Sequence, residues 1–77
     1  MKITIELKNS KNTYYIKTED NSIKNDLLNA IENKKFVNIK NYYYNTYIMG
    51  EKFIVNNNKI NNDRYIETAI IKEIIIR

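Results

Sequence analysis

Lys2-Ile3-Thr4-Ile5-Glu6-Leu7-Lys8 alternates without a break, with Ile3, Ile5 and Leu7 on one side and Lys2, Thr4, Glu6 and Lys8 on the other. Successive side chains of an extended chain point to opposite faces, so this period of two predicts a strand half buried in a sheet. Asn9-Ser10-Lys11-Asn12 is a cluster of turn formers, after which alternation resumes over Thr13 to Thr18 through Tyr14 and Ile16. Two strands joined by a tight polar turn and sharing one apolar face make a hairpin the economical reading.

Glu19-Asp20-Asn21-Ser22 then supplies acidic and capping residues ahead of Ile23, Leu27, Leu28 and Ile31, which recur at helical offsets. This predicts a helix over about residues 22–34, capped at Ser22, with acidic residues before its start and Lys34-Lys35 at its end to complement the dipole. Lys24, Asn25, Asn29, Glu32 and Asn33 form its polar face, so the apolar stripe should lie across one side of the sheet. Phe36 to Lys40 reads as a further strand with Val37 and Ile39 inward, running into the extended, aromatic segment Asn41 to Ile48. The single glycine predicts a type II′ hairpin at Gly50-Glu51, because the first central position of that turn needs a positive φ.

Asn56 to Asp63 is read as loop, with a short helical turn near residues 63–67. Residues 69–76, AIIKEIII, contain five isoleucines, and their β-branching favours a strand over the helix suggested by the spacing of Ile66, Ile70 and Ile74. A central strand buried on both faces accounts for a run that does not alternate. No repeat or linker divides the chain, so residues 1–77 form one α+β domain: ββα followed by three or four strands, with one helix packed on a mainly antiparallel sheet. One helix covers only part of such a sheet. The uncovered face must therefore be polar, curled into a partial barrel, or buried against a second copy.

Composition narrows function by exclusion. The 77 residues contain no His, Cys, Pro or Trp, which removes the usual neutral-pH base, the thiolate nucleophile and the common zinc ligands. No Walker or calcium-loop pattern is present, and Glu19-Asp20 is explained by the helix start. The expectation is a protein that is not an enzyme and uses no cofactor and no metal. The amino terminus alternates instead of forming an apolar block, and no apolar run reaches about 18 residues, so a cytoplasmic protein with no membrane partner is expected. A chain this short has a thin core, which raises the expectation of a homo-oligomer.

Thirteen Lys and Arg against nine Asp and Glu give a net charge of +4, which favours approach to acidic surfaces and nucleic acid. Ile, Asn, Lys and Tyr make up 47 of the 77 residues; all have A- and T-rich codons, so part of the lysine excess reflects coding. The candidate binding residues are the tyrosines Tyr42, Tyr43, Tyr44 and Tyr47 with the cations Lys34, Lys35, Lys40, Lys52, Lys59 and Arg64, since aromatic rings and cations together serve protein interfaces and single-stranded nucleic acid.

In size, in this composition and in its lack of catalytic residues, the chain resembles the small accessory proteins encoded by phages and plasmids of AT-rich bacteria, among them inhibitors of defence complexes such as anti-CRISPR proteins. That resemblance implies stoichiometric binding to a host protein or ribonucleoprotein complex, which it inhibits or regulates. A small nucleic-acid-binding regulator acting through Tyr and Lys or a lysine-bearing helix, and a self-assembling structural subunit, are the alternatives.

Overall fold

The computed structural model describes residues 1–48, 51–54 and 59–77, with side chains for all of these except 46–48 and 51–54. The opening hairpin, β1 (Lys2–Leu7) and β2 (Thr13–Lys17), lies inside an antiparallel five-stranded sheet completed by β4 (Tyr43–Ile48), β5 (Glu51–Ile54) and β7 (Ile71–Ile76), in the order β5-β4-β2-β1-β7. A second antiparallel ribbon pairs β3 (Phe36–Ile39) with β6 (Arg64–Glu67). Helix α1 (Asn21–Asn33) follows the hairpin. The fold is thus ββα followed by strands, and the larger sheet stays open, ending at β5 and β7 instead of closing into a barrel.

One apolar core lies between the inner face of the sheet and the layer formed by α1 and the ribbon. Ile3 and Ile5 of β1 and Val37 of β3 are wholly buried, joined by Tyr14 and Ile16 of β2, Ile39, Tyr42, Ile66 and Ile71. From the helix, Leu27 and Ala30 are buried, while Leu28, expected on the apolar stripe, is exposed. Ala30 and Leu27 are three apart and face the sheet together; Leu28 is turned roughly 100° from Leu27, towards solvent.

The helix starts one step earlier than its sequence suggests. Asp20, not Ser22, is the N-cap: its carboxylate accepts from the Ser22 backbone N–H at 2.9 Å and from the Ser22 hydroxyl at 2.7 Å. These two bonds hold the exposed Asp20 carboxyl below its ordinary pKa, the hydroxyl contributing most. A depressed carboxyl stabilises the fold above the unfolded pKa and loses that effect as pH falls through the folded value. Asp20→Ala is therefore expected to lower the urea midpoint at neutral pH. The gap from the wild type should close as pH drops below the ordinary Asp value of about 3.9, which urea titrations at several pH values would read.

Three further elements depart from expectation. Residues 64–67 are a strand and not a helical turn, because Ile66 fills the core opposite Val37. The chain also changes sheets between β3 and β4. Asn41 takes a positive φ of 56°, a conformation its short polar side chain tolerates, and Tyr42 then bridges Ile60 through two backbone hydrogen bonds. The third departure is β7, which is an edge strand and not a central one. A bulge accounts for its failure to alternate: Glu6 pairs with Glu73 and Leu7 with Ile71, leaving Lys72 over. That extra residue puts Ile71, Ile74 and Ile76 opposite the inward residues Leu7, Ile5 and Ile3. The kink and the charges of Lys72 and Glu73 also blunt the edge against pairing with other strands.

β4 and β5 pair as an antiparallel hairpin with Ile48 opposite Glu51, so Glu51 belongs to the strand and not to the turn; Gly50 lies outside the described residues.

Candidate functional site

The tyrosine segment does not form one surface. Tyr42 is buried and Tyr44 half-buried, both packed against Tyr14, with ring centroids 5.6 and 4.9 Å away. Burial pushes the Tyr14 hydroxyl above its ordinary pKa, and the Arg64 guanidinium, 5.7 Å from the ring centre, offsets this in part. These rings are core. Tyr43 points the other way and stacks on Tyr15 at 5.0 Å and 12°, with Lys2 and Lys17 over the faces of Tyr15 and Tyr43 at 4.5 and 5.4 Å. The backbones of Tyr47 and Lys52 are paired in the β4–β5 hairpin; their side chains lie outside the described residues.

The remaining candidate cations gather around the ribbon. Lys34 caps the end of α1 and Lys35 leads into β3. Thr68 ties this corner down: its hydroxyl donates to the Lys34 and Lys35 carbonyls at 2.8 and 3.1 Å, and its N–H to the Lys35 carbonyl at 2.8 Å. Lys40 follows the other end of β3, where Ile39 pairs with Arg64; Lys59 precedes Ile60, which bridges Tyr42. All five of these cations are exposed.

Between the two ends of β3 lies a groove of about 600 Å³, walled by α1 on one side and the ribbon on the other. Its floor is apolar, formed by Leu27, Ala30, Val37 and Ile39, and among the described residues its lining includes Lys34 and Lys40 with a single carboxylate, Asp26. Phe36 and Tyr65 stand on its rim, 49% and 64% exposed. They are there because β3 and β6 alternate: Val37, Ile39 and Ile66 turn inward, so Phe36, Asn38 and Tyr65 must turn outward. Two large exposed rings on a paired ribbon, with lysines around them, have the composition of an interface centre and its polar rim. Neither ring was among the residues singled out from sequence. Phe36 was visible as the outward neighbour of Val37, but Tyr65 could not be placed without the β3–β6 pairing.

The outer face of the large sheet is a second surface, organised in rows across the strands. Arg77, Lys2 and Lys17 form a cationic row, the first two joined by reciprocal backbone hydrogen bonds of 2.7 and 2.9 Å. Ile75, Thr4, Tyr15 and Tyr43 form the next, and Glu73, Glu6, Thr13 and Asn45 the third. Asn45 is 5% exposed, and its Oδ1 has no hydrogen-bond donor among the described residues.

Among the described residues no helix is long and apolar enough to cross a membrane, and no three His, Cys, Asp or Glu residues are placed to hold a metal ion. No protein-family model, curated protein or solved structure matches the chain.

Proposed function

We propose that the protein acts by stoichiometric, non-catalytic binding, seating the groove between α1 and β3 against an acidic surface of a larger protein or ribonucleoprotein assembly that it inhibits or regulates. The observation that carries this is the exposure of Phe36 and Tyr65 on the rim of an apolar groove flanked by Lys34 and Lys40. Exposed aromatics are expensive to leave in water unless a partner covers them, and a buried aromatic anchor is what dominates binding energy at protein interfaces. Lysines at the rim and a net charge of +4 steer the approach of an acidic partner and select against a basic one.

Nucleic acid fits the tyrosine cluster less well than its composition suggests. Tyr42 and Tyr44 are packed against Tyr14, and Tyr15 and Tyr43 stack on one another with lysines over them, so a base would have to displace existing partners before it could stack. Titration with single- and double-stranded oligonucleotides over a salt series separates the two readings. The expected result is weak retention that does not distinguish wild type from Tyr43→Ala. Tight binding that falls steeply with salt and depends on Tyr43 would overturn the protein-partner reading in favour of a nucleic-acid regulator.

A further inference from the structure

Charge on the outer sheet face is sorted by row; Lys2 and Lys17 rest over the Tyr15 and Tyr43 rings, but no ion pair among the described residues neutralises either row. Lys2 faces Lys17 and is bonded through the backbone to Arg77, while Glu6 faces Glu73. Like charges directly opposite one another are unfavourable, and none of these five side chains forms an ion pair with another described residue. We infer that this face is self-complementary and that the chain forms a two-fold dimer through it.

Consider a two-fold axis laid along the middle row, in the plane between two facing sheets. The second copy is turned over and its strands reversed, so the cationic row of one copy lies on the acidic row of the other. Lys2 meets Glu6 and Arg77 meets Glu73, each contact made twice, while Ile75, Tyr15 and Tyr43 meet their own counterparts. The register allows this on three adjacent strands at once. Residue 4 is midway between 2 and 6, residue 15 between 13 and 17, and residue 75 between 73 and 77, and the pairings place 4, 15 and 75 in one row. Residues 2 and 6 are about 13 Å apart along the strand, and facing sheets pack about 10 Å apart within about 30° of parallel, so the charged ends can meet while the rings fill the centre. Lys17 falls opposite Thr13, beside the Asn45 carbonyl that has no donor among the described residues. The groove is on the far side of the core, so a dimer leaves it open.

Sedimentation equilibrium of the full chain is expected to give twice 9.3 kDa at micromolar concentrations, with the monomer fraction rising with salt. Lys2→Glu gives an acidic face and Glu6→Lys a basic one. Each alone is expected to associate at least about tenfold more weakly, and an equimolar mixture of the two to recover the dimer, since every 2-to-6 contact then pairs opposite charges. Should either single variant fail to fold by circular dichroism, the double variant Lys2→Glu/Glu6→Lys decides, because it keeps both contacts with their signs exchanged; it should dimerise like the wild type. A wild type that stays monomeric at the highest attainable concentration, single variants that associate normally, a mixture no better than its components, or a monomeric folded double variant would each overturn the inference.

Discussion

Ile5→Ala is expected to unfold most of the protein. Ile5 is fully buried at the centre of the inner sheet face, paired with Tyr14 on one side and Ile74 on the other. Truncating a buried isoleucine costs about 2–5 kcal/mol, from lost transfer energy and the cavity left behind. A single core in a chain this small supplies only about 3–5 kcal/mol of net stability, so the loss is of the same size as the whole. Urea denaturation followed by circular dichroism should show a midpoint near zero or no cooperative transition. Ile76→Ala, on the same sheet face but 37% exposed, should lose far less. The comparison belongs at one fixed protein concentration, because association adds to apparent stability.

The second large effect falls on binding and leaves the fold alone. Phe36→Ala with Tyr65→Ala removes both rim rings from the groove, and each, if central to the contact, is worth about 2 kcal/mol or more. Affinity for the partner should therefore fall by at least about thirtyfold for each ring. The cost in stability should stay below about 1 kcal/mol, since both positions are exposed strand sites. Partner affinity measured by calorimetry beside a denaturation curve of the same variant separates the two quantities. Equal binding by the double variant would mean that the rings are passive.

Local rules made half of this fold legible. The β1–β2 hairpin follows from alternation and a polar turn, and α1 from helical spacing, because both are written in short-range periodicity. What stayed hidden depends on pairing across the chain. The ribbon joins Phe36–Ile39 to Arg64–Glu67, and no local pattern at residues 64–67 announces a partner nearly thirty residues away. The bulge at Lys72 is hidden in the same way. Read alone, residues 69–76 fit a strand buried on both faces; in the structure Thr68–Ile70 form a 3-10 turn, and only the register against β1 reveals an edge strand over Ile71–Ile76 with one extra residue.

The site divides along the same line. Alternation along the segment already separates Tyr43 from Tyr42 and Tyr44, but it does not say which side is covered, and only the structure shows Tyr42 and Tyr44 packed on Tyr14 while Tyr43 stacks on Tyr15 at the outer face. The rings left in water, Phe36 and Tyr65, are each unremarkable in sequence and become neighbours only when Asn38 pairs with Tyr65. The rows on the outer face were half visible: alternation already puts Lys2, Thr4 and Glu6 on one face of β1, but a turn of only Asn9 to Asn12 would set Lys8 against Thr13, and the observed register instead sets Glu6 against Thr13 and Lys2 against Lys17. The contribution of β7, which supplies Arg77, Ile75 and Glu73, needed the third strand.

The most direct test of the binding groove places a benzophenone amino acid at position 65, and separately at the exposed Lys72 on the far edge strand, and irradiates each in nuclease-treated lysate of the native host. The groove account predicts one dominant protein adduct of fixed mass from position 65 and none of that mass from position 72. No protein adduct at position 65, or the same adduct from both positions, would contradict it.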